Sequence, residues 1–315
     1  MLAATCCALG CLLQSSVSHS HGGGRMVKTR RLVTLLALMS FSGLGHAATP
    51  ACHAIRDGEQ PRTAALGALA CQLKLHRLLL FGELHGTAES PDLLAALLRA
   101  QPAERPIRLG LEWPMELQSK VAAYFQSDGT AADRSAFAAG RDWTYFDGRM
   151  SQAWLSLLDS LRDLRRRGRD IQVFTMEPTY GTPTDVAAAG GFVEVKEAGI
   201  AKAISAQLHH APPGVLVVAL MGNYHTRVGS KQPDYHSSVT YRLAADHPMV
   251  LLPQSEHGTF WAIVSPQNRA AVHTINRSGP LLPKQDVVVK TERDVPADAI
   301  VKTILLPIFT ASPHP

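Results

Sequence analysis

Cysteine and aromatic residues are scarce in this chain of 315 residues, and no apolar run in it is long enough to cross a bilayer comfortably. Of five cysteines, Cys6, Cys7 and Cys11 fall in the first segment, and only Cys52 and Cys71 lie downstream. Two cysteines cannot make a disulfide-dense scaffold, but they favour one bridge tying an N-terminal arm to the first helix. Aromatics are 6% of residues while alanine and aliphatics dominate the apolar content, which suits an α/β protein better than an all-β one. Three catalytic signatures are missing. There is no Gly-x-Ser-x-Gly elbow for a serine nucleophile, no His-Glu-x-x-His helix, and no Gly-rich phosphate loop with its lysine.

Acidic residues are absent from positions 1–47, which carry Arg25, Lys28, Arg30 and Arg31. The overall charge of +5 therefore shrinks to 27 bases against 26 acids beyond that point. Nucleic-acid binding needs a basic face on the folded domain, and the only dense cluster is Arg162, Arg165, Arg166, Arg167 and Arg169 at a predicted helix end. Arginines there complement the helix dipole, so no nucleic-acid partner is expected. The N-terminal charge belongs to a leader instead. A positive stretch from Met26 to Arg31 precedes an apolar stretch from Leu32 to Leu44, and small residues at 45–48 offer a cleavage site. The expected organisation is an upstream extension at 1–25, a signal peptide at 26–48, and a single domain at 49–315 with no transmembrane span, exported to the periplasm or secreted. Thr49-Pro50-Ala51-Cys52 lacks the aliphatic residue of a lipidation site, which argues against a lipid anchor.

Along the mature chain, residues 62–76 read as a helix and 77–82 as a strand. Ser90-Pro91-Asp92 has the form of a helix start with a capping serine and proline at the first position. Leu93, Leu94, Leu97 and Leu98 supply its buried face. The next strand, 107–112, completes a βαβ crossover and so implies parallel pairing. A helical insertion is expected around 114–165, its long helix capped by Ser151 and stopped at Gly168. A strand follows at 171–177, a Gly/Pro/Thr-rich lid at 178–191, a helix at 194–210 and a strand at 215–221. Residues 238–243, 249–253 and 259–264 look like short edge strands, and 265–315 carry only weak pattern. The predicted fold class is α/β, a mainly parallel sheet flanked by helices.

The chemistry gathers where strands end. Leu78 to Gly86 is an apolar strand broken by Gly82, after which Glu83 and His85 stand two residues apart and should project to the same side. Leu216 to His225 repeats the order of apolar strand, glycine, polar residue, spacer and histidine, giving Asn223 and His225. Glu112 and Glu177 end the two strands between. In open parallel sheets ligands bind at the carboxyl ends of strands, so these residues are expected to share one edge. Three chemistries suit them. Glu83, His85, Glu112 and His225 form a ligand set for zinc, manganese or a related divalent ion. Alternatively His85 is a general base on water, with Glu83 or Glu112 fixing its tautomer. A histidine, or Tyr145, Tyr180 or Tyr224, is the third possibility, as an axial ligand to haem iron. Asp147 and Arg149 read as a salt bridge or a substrate clamp.

Gly82-Glu83-Leu84-His85-Gly86, Gly110-Leu111-Glu112-Trp113-Pro114 with Leu117-Gln118 and Tyr124-Phe125, and Gly222-Asn223-Tyr224-His225 resemble the superfamily of ChaN-like haem-binding uptake proteins, erythromycin esterases and Tiki/TraB proteins. The resemblance covers roughly residues 75–265 and is nearest to ChaN-like proteins, including the tryptophan and Asp-Gly-Arg segment at 143–149. It implies an exported protein that binds haem, iron or another metal at a Glu/His site, with Tyr145, Arg149, Asn223 and Tyr224 around the cofactor. For esterase-like members it implies instead a hydrolase of ester or peptide bonds, with His85 as base beside Glu83, Glu112 and His225 and with or without a divalent ion. Either way the partner is a small-molecule ligand or substrate.

Overall fold

Leu78, Leu79, Leu80 and Phe81 are all fully buried, alternate residues facing opposite sides of a sheet, and the architecture follows from that. A strand that is apolar on both faces needs a layer on each. The computed structural model of the chain describes residue 52 and residues 54–139, 147–230, 234–262, 271–279 and 281–315. The expected upstream extension at 1–25 and signal peptide at 26–48 lie outside these, as do Trp143 and Tyr145.

The chain opens with β1 (Gly58–Pro61), α1 (Arg62–Leu73), β2 (Leu78–Glu83), α2 (Glu89–Arg99) and β3 (Ile107–Pro114). The expected insertion follows as a 3-10 turn at Met115–Leu117, then α3 (Gln118–Gln126), α4 (Ala131–Ala138) and α5 (Gln152–Arg166). Next come β4 (Ile171–Glu177), α6 (Pro183–Ala188), α7 (Phe192–His210), β5 (Leu216–Gly222) and α8 (Val239–Arg242). The chain ends with β6 (Met249–Gln254), β7 (His257–Ala262), β8 (Ala271–Asn276), β9 (Asp286–Thr291) and β10 (Ile300–Leu305).

Eight strands form one sheet in the order β1-β9-β10-β6-β2-β5-β3-β4. Six neighbours, from β10 to β4, run parallel, while β9 is antiparallel to both β1 and β10. Leu79, Phe81, Val218 and Leu220 face the layer of α1, α2, α3 and α5, while Leu80, Val217, Ala219 and Met221 face α7 and α8. The α/β class with a mainly parallel sheet is therefore what the chain adopts.

Several local expectations are corrected. Helix α2 starts at Glu89, so Ser90 and Pro91 sit inside its first turn. A proline costs no hydrogen bond there, because first-turn N–H groups have no helical partner. Ser151 occupies the N-cap position of α5, but its hydroxyl makes no capping bond; Ser312 Oγ accepts from Ala153 N at 2.9 Å instead. The 178–191 segment is not all loop, since α6 forms there with a reciprocal Thr182–Asp185 cap. Residues 239–242 are helical, with Ser238 capping, where a strand was expected. β6 is interior to the sheet, and β7 pairs with β8 in a separate two-stranded sheet. The weakly patterned C-terminal segment supplies β9 and β10 to the main sheet.

The arginine cluster does more than serve a dipole. Arg162 is buried, lies 4.8 Å from the Tyr124 ring and pairs with Asp159. Arg169 donates to the carbonyls of Leu98 and Pro102 at the end of α2. Cys52 and Cys71 are bridged, with Cα atoms 5.5 Å apart, and this ties the N-terminal arm to α1.

Candidate active site

The carboxyl ends of β2, β5, β3 and β4 are adjacent in the sheet, and they gather the polar residues that end those strands. Glu83 and His85 project together as their spacing requires, with His85 Nδ1 2.8 Å from Glu83 Oε1. Glu83 Oε1 also accepts from Trp154 Nε1 of α5 at 2.7 Å, while Oε2 is buried with no hydrogen-bond partner among the described residues. Burial dominates Glu83 and raises its pKa against the opposing His85 and Trp154 hydrogen bonds. Burial pulls the other way on His85, but the Glu83 hydrogen bond and the Glu112 charge outweigh it, so its pKa is also raised. His85 keeps its other face partly open, its side chain 21% exposed, with Nε2 3.6 Å from Glu112 Oε2.

Gly86 fixes the loop behind His85. It takes φ +74°, and an added Cβ would sit 1.8 Å from the Trp261 carbonyl oxygen. Only glycine tolerates both constraints. Its carbonyl accepts from Trp261 N and Ser312 N, which lashes the loop to the C-terminal segment.

Glu112, fully buried at the end of β3, is the hub. Oε2 accepts from Gly222 N at 2.6 Å. Oε1 lies 2.7 Å from Lys196 Nζ, 3.2 Å from His225 Nε2 and 3.4 Å from Arg149 Nη1. Burial would raise its pKa, yet His225 and Arg149 hold it well below the usual carboxylate range. His225 is pushed up to about 9: burial opposes this, but Glu112 and Glu197 overcome it. It is an imidazolium at neutral pH and so serves as a fixed cation rather than a base. Arg149 also bonds Glu177 and Asp147, and Tyr180 Oη donates to Glu177 Oε1 at 2.9 Å. Asp147 and Arg149 thus form part of the network as well as a local salt bridge.

Glu83, His85, Glu112, Glu177, His225 and Arg149 are brought together as the sequence suggests, but the second motif does not copy the first. Residues 223–226 form a turn, with His225 N donating to Gly222 O, so Asn223 and His225 do not project side by side. Asn223 and Tyr224 are exposed, facing a neighbouring cleft rather than the buried network. Sequence reasoning missed Trp154, Lys196, Glu197 and Arg227. Glu197, wholly buried on α7, accepts from Arg227 and from Val239 N, and lies 3.3 Å from His225 Nδ1. The α7 pair carries no motif: Lys196 and Glu197 fall in the stretch 194–210, which reads from its residues only as a helix.

The set does not fit a divalent cation as arranged. Among the described residues no three His, Cys, Asp or Glu side chains converge for one ion. Arg149 and Lys196 already neutralise the Glu112 and Glu177 carboxylates, and their charges would repel a metal.

No family model matches this chain, and no curated protein matches it. Among solved structures, a mutant erythromycin esterase, EreC, in its open conformation aligns over 81% of this chain and 97% of that one, with TM-score 0.55 and 11% identity. The fold is therefore of the α/β class and similar to that of this esterase. The type III effector HopBA1 aligns over 72% of this chain and 99% of its own at 15% identity, with a TM-score of 0.39, too low to bear on the fold. No helix of the described residues is long and apolar enough to cross a membrane.

Proposed function

We propose that this protein is a hydrolase of ester or peptide bonds in which His85 is the general base that activates water. The observation carrying this reading is the Glu83–His85 pair. A buried carboxylate 2.8 Å from Nδ1 fixes the tautomer that leaves Nε2 as the proton acceptor, and the side chain keeps 21% of its surface exposed. The Glu112 hub, held ionised by His225 and Arg149, supports the imidazolium that forms when His85 takes the proton. The leader expected at 26–48 and the Cys52–Cys71 bridge support an exported protein in an oxidising compartment.

Haem or iron binding, the function implied by the ChaN-like resemblance, is the second reading. It rests on Tyr224, which is 45% exposed and whose ring centroid lies 5.7 Å from that of His225. One preparation separates the two. His85→Ala is expected to abolish turnover of an activated ester and peptide panel while circular dichroism stays unchanged. Wild-type turnover in the variant would sink the hydrolase reading, and a Soret band on hemin titration that is lost in Tyr224→Phe would replace it.

A further inference from the structure

The hydrolase reading leaves Lys196 and a stacked aromatic pair without a role. Phe192 and Lys196 stand four residues apart on α7 and therefore share one face of it. Along that face runs a cleft of about 630 Å³, walled by Pro114, Leu117, Pro178, Tyr180, Phe192 and Lys196 among others. That volume suits a drug-sized organic molecule. At its mouth Phe192 is 55% exposed and stacks on Tyr180, ring centroids 4.5 Å apart. At its inner end the Lys196 side chain is only 11% exposed.

Lys196 connects this cleft to the base. Its ammonium lies 2.7 Å from Glu112 Oε1 and 3.5 Å from Glu177 Oε1, while His85 Nε2 approaches the other oxygen of Glu112. Base and ammonium thus flank a single carboxylate. An ammonium has three donors, and two carboxylates lie within reach of this one while its side chain also lines the cleft. The charges lining the cleft are paired internally, Arg149 with Asp147 and Glu177, and Lys196 with Glu112 and Glu177. Glu116 accepts from Thr179. Among the described lining residues, Pro114, Leu117, Pro178, Tyr180 and Phe192 supply the apolar and aromatic wall.

We propose that this cleft is the acyl-side subsite of the hydrolase proposed above, and that it takes a neutral ester with an aromatic or bulky apolar acyl group. The acyl group lies against Phe192 and Tyr180, and the carbonyl oxygen meets Lys196. His85 removes a proton from water as the water oxygen bonds to the carbonyl carbon, and the carbonyl π pair moves onto the oxygen beside the ammonium. Collapse of this adduct breaks the bond to the alcohol oxygen, which takes the proton back from His85. The products are an acid and an alcohol. Lys196 is then a catalytic residue, because preorganised positive charge at a developing oxyanion lowers the barrier.

The test uses the mature chain with Phe192→Ala, Lys196→Ala and Lys196→Arg, assayed on p-nitrophenyl acetate and p-nitrophenyl phenylacetate. Calorimetric binding of phenylphosphonate and methylphosphonate supplies a readout free of turnover. Lys196→Ala is expected to lower kcat about 100-fold on both esters with KM little changed, and Lys196→Arg to recover part of it. Phe192→Ala is expected to cut the phenylacetate-to-acetate ratio of kcat/KM, and the phenyl-to-methyl ratio of phosphonate affinity, by about tenfold. Absence of ester turnover in the wild type would remove the hydrolase reading, and the phosphonate ratios would still decide the subsite. An unchanged ratio in Phe192→Ala, or a Lys196→Ala effect confined to KM, overturns the proposal.

Discussion

His85 carries two carboxylates, one on each ring nitrogen, and together they raise its proton affinity against the pull of burial. A general base must be unprotonated to work. With its pKa raised, His85 stays protonated until the pH passes the ordinary imidazole value of about 6.5. Ester turnover should therefore rise with pH along a limb centred above that value. Glu83→Gln removes the strongest of the raising influences, so the limb should move to lower pH while the plateau drops roughly tenfold or more. A limb that stays put in a pH–kcat/KM profile of this variant would refute the pairing.

Gly222 is the second test at this scale. A Cβ there would fall 2.8 Å from His85 Nε2, the far end of a side chain that can swing aside. Gly222→Ala should leave the thermal midpoint near wild type yet cost about 100-fold in kcat, because small misplacements of a catalytic group are expensive. Loss of stability without loss of turnover would contradict that geometry.

Among the elements, α7 decides how the site is held. One turn presents Lys196 to Glu112 and Glu177, and the next residue, Glu197, anchors Arg227, His225 and the N-terminus of α8. The short turn after β5 carries His225 and Arg227, both buried, and Glu197 bonds to Arg227 and lies 3.3 Å from His225. Glu197→Ala should destabilise the fold by about 3–5 kcal/mol, the usual consequence of leaving a buried charge unpaired. Urea titration would show it, and a midpoint within error of wild type would mean the anchor is dispensable. The β2 element was readable in advance because an extended strand forces residues i and i+2 to one side. The β5 motif was not, because a turn after the strand can point a histidine anywhere, and only packing against α7 and α8 fixes its direction.

For the whole molecule, the C-terminal strands and the disulfide close the sheet at the end away from the site. β10 lies between β6 and β9, and the N-terminal arm pairs with β9 through β1. Cys71→Ala releases the arm and should cost roughly 2–4 kcal/mol. For a chain of this size that lowers Tm on the order of 5–10 °C, measurable by calorimetry. Ester turnover at 25 °C should persist, because the bridge is attached to α1 rather than to the strand ends that carry His85.

The sequence by itself determined the α/β class, the parallel core, the helical insertion, and the gathering of Glu83, His85, Glu112, Glu177 and His225 at one edge. These follow from local rules: apolar runs buried on both faces, crossover helices that impose parallel pairing, and strand ends that open onto a crevice. Tertiary structure alone decided the rest. It placed β9 and β10 in the main sheet, where pairing partners compensate for weak local pattern. It also brought Lys196 to Glu112 and buried Glu197 beside His225 and Arg227, since burial depends on what packs against a helix and not on the helix itself.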